Sequence, residues 1–149
     1  MQYLRNSKNG GRKGFTLVEL LVVVVVLAVL AAIVLPKFMN ASTRSRESAL
    51  RSDLKLMRNA VSLFQTDTSY YPASLADLAA TSAPANGLDS AGNTQAITAA
   101  DWHGPYLESI PNDPVSGSAF TYGVLSPNVG TVTSSATGNG LDGTAYSSW

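Results

Sequence analysis

Residues 13–36 read KGFTLVELLVVVVVLAVLAAIVLP, and this stretch decides the fold. From Phe15 to Leu35 the chain is apolar for 21 residues, broken only by Thr16 and Glu19, and the 16 residues from Leu20 onward are uninterrupted. A helix rising about 1.5 Å per residue makes such a run about 30 Å long, enough to cross the hydrocarbon core of a bilayer. The valines from Val22 to Val26 have poor helix propensity. In lipid, however, every backbone N–H must be satisfied within the segment, so a lone span is helical. Pro36 ends the run. It removes a backbone donor and clashes with the carbonyl of Ala32, which predicts a kink or local unwinding at that point.

Toward the N-terminus, residues 1–14 carry Arg5, Lys8, Arg12 and Lys13 and no acid. Positive charge keeps that end cytoplasmic and sends the C-terminal part outward. Toward the C-terminus, Leu50, Leu54, Met57, Val61 and Phe64 recur at spacings of 4, 3, 4 and 3, the stripe of an amphipathic helix that should end near Thr66 to Ser69. Glu47 and Arg51 stand at the favourable i, i+4 spacing. Arg44, Arg46, Arg51, Lys55 and Arg58 make the remaining faces basic. Tyr70-Tyr71-Pro72 is an extended entry, and Ser74 before LADLAA predicts a short capped helix. Residues 81–100 are rich in Ala, Ser, Thr, Gly and Asn, with Asn86-Gly87 and Gly92-Asn93 as turn signals, and read as a long loop. Strands are expected at Ala119–Leu125 and Val129–Thr133, followed by a loop-like tail. The fold class is α+β.

The net charge of zero hides a sharp segregation. Ten cations against three acids give the first 58 residues +7, whereas from Asn59 onward seven acids and no Lys or Arg give −7. Nothing basic is left in the C-terminal part to contact phosphate, so direct nucleic-acid binding is not expected. The absence of cysteine excludes disulfides, Cys-ligated zinc, thiol catalysis and a lipoprotein anchor.

The junction KGFTLVEL, residues 13–20, resembles the class III signal of type IV pilins and type II secretion pseudopilins. Basic residues precede a small residue, an aromatic follows it, a glutamate stands four residues further on, and Pro36 has its usual place. More weakly, Tyr71-Pro72-Ala-Ser74-Leu75 with Leu78, Trp102-His-Gly104-Pro105-Tyr106-Leu107 and Ile110-Pro111-Asn-Asp113-Pro114 are similar to segments of major pseudopilin heads. The resemblance implies a pilin-like fold: a cleaved leader (1–14), a transmembrane and filament-core helix (15–36), an amphipathic helix (37–68) and a globular head with an antiparallel sheet (69–149). It implies that a prepilin peptidase cuts between Gly14 and Phe15, and that the new amine of Phe15 is methylated. It assigns Glu19 to filament assembly, through the N-terminal amine of a neighbouring subunit.

The implied partners are further copies of the chain in a helical homopolymer, the peptidase, an inner-membrane platform protein, an assembly ATPase and, before assembly, the membrane. The first reading is a structural pilin of a type IV pilus, extracellular after assembly. The alternative is a major pseudopilin of a periplasmic secretion pseudopilus. A rival signal peptide would be cut near Ala28 to Ala32.

Glu19 demands a partner on physical grounds as well, because an acid at mid-bilayer costs about 3 kcal/mol, less if it snorkels to the headgroups. The Arg44–Arg58 face is either solvated or set against acidic heads of neighbouring subunits. No nucleophile with a base, paired acids or phosphate loop emerges, and an enzyme is not expected. His103, the sole histidine, is placed to support the loop around Trp102. Major pseudopilins commonly carry calcium in the C-terminal loop, but between Ser126 and Trp149 Asp142 is the only acid, so neither a metal nor a cofactor is expected.

Overall fold

The computed structural model describes residues 14–149, so the expected leader, apart from Gly14, lies outside the described residues. Two compact units are resolved by contact, the first ending at Asn40 and the second Ala41–Trp149. One helix, α1 (Leu17–Thr68), carries both the apolar run and the amphipathic stripe. Its helical assignment continues through Pro36, so the expected local unwinding is not found. In the first unit, every described side chain from Phe15 to Leu35 is exposed, and the helix is long and apolar enough to cross a membrane by length and composition.

The end of α1 falls where the periodicity predicts it. The Thr68 hydroxyl reaches back to the Phe64 carbonyl at 2.8 Å and also accepts from the Tyr70 N–H. Ser69 then takes a left-handed conformation (φ 66°) that stops the helix, its N–H donating to the Gln65 carbonyl.

In the second unit the predicted stripe is the core. Leu50, Met57 and Phe64 are fully buried, with Leu54, Ala60 and Val61 beside them, against Leu78, Leu107, Phe120, Val132, Ala136 and Tyr146. Each large side chain so buried contributes about 1.5–3 kcal/mol.

The head is built from very short strands. Strands β1 (Tyr71–Pro72), β2 (Asn86–Leu88) and β3 (Thr94–Ala96) form one antiparallel sheet, with Tyr71 opposite Leu88 and Gly87 opposite Gln95. Strands β4 (Thr121–Tyr122) and β5 (Val132–Thr133) form another. The short helix after Ser74 is a 3-10 turn, Leu75–Ala79, and the Ser74 N–H donates to Asp77 Oδ2 at 2.7 Å.

The long loop expected at 81–100 is instead a hairpin. Asn86-Gly87 lies in β2 and does not turn the chain: a Cβ on Gly87 would sit 2.8 Å from the Tyr71 carbonyl, so glycine is there to let β1 approach. The turn is organised by Asp89, whose carboxylate accepts from the N–H groups of Ala91 and Asn93 and from the side-chain amides of Asn93 and Gln95. The segment expected as strand from Ala119 to Leu125 pairs only at Thr121–Tyr122. Val129 and Gly130 belong to the connecting turn, which closes where the Gly130 N–H donates to the Gly123 carbonyl and the Gly123 N–H to the Thr131 carbonyl, each at 2.9 Å. The tail folds back on itself through the Asn139–Ala145 bridge and a 3-10 turn, Tyr146–Ser148.

Candidate functional site

The start of α1 gathers Gly14, Phe15, Thr16 and Glu19. Gly14 has open space where a Cβ would stand, and Phe15 is 84% exposed. The Thr16 hydroxyl accepts from the Glu19 N–H at 3.2 Å, while Glu19 Oε2 accepts from the Thr16 N–H at 2.8 Å and from its hydroxyl at 3.0 Å. This is a reciprocal capping box, Thr16 at the N-cap and Glu19 three residues into the helix. The T-x-x-E spacing is its signal in the sequence. Within one subunit, then, Glu19 satisfies two donors of its own helix start, and the carboxylate is fixed at the first turn beside Phe15.

In the second unit, the basic face of α1 is neither wholly solvated nor wholly free. Arg58 donates to the Val132 carbonyl at 2.8 and 3.0 Å and to the Trp149 carbonyl. Arg51 leaves the expected i+4 partner and pairs with Asp142 at 2.7 Å, its guanidinium 4.1 Å from the centre of the Trp149 ring. Glu47 is buried instead, one oxygen accepting from the Leu141 N–H at 2.8 Å and the Tyr146 hydroxyl at 2.9 Å. Burial first, and then the Glu47 carboxylate, push the Tyr146 pKa up, so the hydroxyl remains a donor.

A second buried acid, Asp113, is fully enclosed and accepts from the Ser134 hydroxyl and from the N–H groups of Val115, Ser116 and Ser135. Burial acts to raise its pKa, but these four donors together outweigh it and hold the carboxyl below its ordinary value.

His103 does brace its loop. Its Nδ1 lies 2.9 Å from the Asp101 carbonyl and its N–H donates to the Tyr106 hydroxyl, which in turn donates to Asp67 at 2.7 Å. The Tyr106 ring also meets Phe64 at a tilt of 60° and Trp102 edge-on, with centroids 5.5 and 6.3 Å apart. A cleft of about 570 Å³ runs along Arg51, Lys55 and Arg58 and is bounded by Asp142, Thr144 and Trp149; no histidine lines it.

The C-terminal loop does not fit the calcium ion that the resemblance implies. Asp142 Oδ1 is taken by the Thr144 N–H and hydroxyl, Oδ2 by Arg51, and Glu47 meets two donors. Calcium requires six to eight oxygen ligands.

Residues 37–146 match the family described as type II secretion system (T2SS), protein G. The chain belongs to that family. Residues 9–35 match the prokaryotic N-terminal methylation motif. Among known proteins, the type II secretion system core protein G of Klebsiella pneumoniae is 32% identical over 116 residues, 78% of this chain and 76% of the relative. That of Aeromonas hydrophila is 30% identical over 119 residues, 78% and 74% of the two chains. The type IV major pilin protein PilA of Myxococcus xanthus is 36% identical over 63 residues, but these are 42% of this chain and 29% of the pilin. No solved structure matches.

Protein G and pilin relatives are structural filament subunits, and the pseudopilin reading is better supported than the pilus reading that came first from the sequence. The long helix on small antiparallel sheets is the α+β, pilin-like arrangement that the signal sequence implied.

Proposed function

We propose that this chain is a pseudopilin of a type II secretion system, a mechanical subunit and not an enzyme. The observation that carries the proposal is a protein G head joined to a helix whose apolar surface from Phe15 to Leu35 lies bare. Subunits wait in the inner membrane as single-pass proteins, leader in the cytoplasm and head outside. The peptidase cuts between Gly14 and Phe15, where no side chain at Gly14 obstructs the backbone, and the amine of Phe15 is then methylated. Cleavage removes four positive charges and no negative ones, leaving the mature chain at −4.

Moving apolar helices from lipid to one another yields little net hydrophobic gain, so packing and specific polar pairs must set the register. Glu19 serves as such a pair: its carboxylate exchanges part of its own helix cap for the amine of a neighbour's Phe15. In the dry core of a filament, loss of one partner leaves the other charge unpaired, which makes truncation costlier than at a surface. Pro36 bends the helix to fit its neighbours. The driving energy comes from a cytoplasmic ATPase acting through the platform protein.

The test is N-terminal mass spectrometry of sheared filaments, together with secretion in the deletion strain. Methylated Phe15 at the terminus and retained exoproteins are expected. An N-terminus near residue 32 overturns the filament reading altogether. Abundant surface fibres with normal secretion would instead establish the type IV pilus reading.

A further inference from the structure

The C-terminal turn of the head is closed by a circuit of four side chains. The Trp149 indole N–H donates to the Thr144 hydroxyl at 2.5 Å, the Thr144 hydroxyl donates to Asp142 at 2.6 Å, Asp142 takes the Arg51 guanidinium at 2.7 Å, and Arg51 lies over the Trp149 ring. Each member therefore touches two others, and the last contact returns to the first. The backbone is shaped around this circuit. Gly138 and Gly143 take positive φ of 90° and 84°, and a Cβ on Gly140 would stand 2.5 Å from the Trp149 ring.

We infer that Arg51 is the cation that closes this turn, in the role that a bound divalent ion would otherwise fill, so that the head folds independently of calcium. The electrostatics favour a resident guanidinium. Asp142, the only carboxylate of residues 126–149, is neutralised on one oxygen by Arg51 while the other holds Thr144. The guanidinium in turn meets the negative face of an indole, which a hydrated divalent ion does not replace. A calcium ion at Asp142 would have to expel Arg51 and break Thr144 from Trp149. Glu47 Oε1 is likewise engaged, receiving the hydrogens of Leu141 and Tyr146, and the described residues hold no group of three or more His, Cys, Asp or Glu side chains able to hold a metal ion. The inference concerns the head alone and holds whichever filament the chain serves.

The test is thermal unfolding of the full chain in detergent micelles, read by tryptophan fluorescence, with calcium chloride or EDTA at about 10 mM, above the dissociation constants of weak extracellular calcium modules. Neither addition should move the Tm by more than about 1 °C. A saturated site would raise it by about 10 °C, and such a rise overturns the inference without any variant being made. Arg51→Ala should lower the Tm by about 4–8 °C, the loss of one exposed ion pair and one ring contact. Asp142→Asn added to Arg51→Ala should lower it less than the sum of the two singles, as members of one circuit must. Strict additivity, or an Arg51→Ala protein as stable as the parent, refutes the assignment.

Discussion

Asp113 offers the sharpest test of how the head is held together. It is fully buried and forms no ion pair among the described residues, and its four donors come from two segments, 115–116 and 134–135. Replacement by alanine removes the acceptor and leaves three backbone N–H groups without it. Hydrogen bonds to a charged group contribute about 1.5–3 kcal/mol each, and an orphaned buried donor costs about 1–3 kcal/mol. The carboxylate's own desolvation, several kcal/mol, offsets much of that sum. The net expectation for Asp113→Ala is a loss of about 3 kcal/mol, or about 10–20 °C in Tm for a head of this size.

Asp113→Asn should lose about 2 kcal/mol, because its amide opposes the Ser135 N–H, donor against donor. Urea unfolding of the full chain in micelles, followed through Trp102 and Trp149, measures both. The pH dependence has a definite sign. A carboxyl whose folded pKa is depressed contributes its stability fully above its unfolded value, about 3.9, and loses it as the pH falls through the lower folded value. The parent should therefore weaken below about pH 4 more steeply than Asp113→Asn. A loss under about 1 kcal/mol for Asp113→Ala, or parallel pH curves, would refute the reasoning.

Three further outcomes are expected. Glu19→Gln keeps a side chain able to cap Thr16 but loses the charge, so membrane insertion should persist while the yield of sheared filaments should fall to the level expected for Glu19→Ala, which loses cap and charge together; filaments of Glu19→Gln at parental yield would reduce the residue to its cap. Tyr146→Phe should cost about 1–2 kcal/mol in the same urea assay by leaving Glu47 with one donor, and an unchanged midpoint would show that this bond contributes nothing. In an NMR titration of the full chain, Asp89 should ionise near pH 2, held down first by the Asn93 N–H and side-chain amide, so hairpin stability is present above the ordinary carboxylate value and fades as the pH falls toward 2. A midpoint at or above 3.8 would show that the turn does not hold its carboxylate.

The apolar run and the stripe from Leu50 to Phe64 were legible because each follows a physical rule that needs no distant partner: bilayer length in one case, helical period in the other. The β2–β3 hairpin was hidden because Asn, Gly, Gln and Ala carry little strand propensity, Thr94 being the one β-branched residue in the two strands, and the pairing rests on backbone bonds and on Asp89. Glu47 was misread for a similar reason. Its i+4 neighbour looked like its partner, whereas the groups it meets lie 94 and 99 residues away, where local spacing is silent. At Glu19 the cost of a charge in lipid drew the eye from a capping box that the spacing alone discloses. The division of Arg51 and Arg58 between the C-terminal turn and β5 likewise required knowing where the chain returns.

That return has a consequence in time. The stripe on α1 is synthesised well before the residues that cover it, and Glu47 waits 94 residues for Leu141. At a synthesis rate of about 5–20 residues per second, the interval is about 5–20 s. Throughout it Leu50, Met57 and Phe64 have only part of their cover, so a chain interrupted short of its last turn presents an oily stem with no lid. The C-terminal segment thus completes the cover of the stripe, Ala136 and Tyr146 being the last residues to join the core around it.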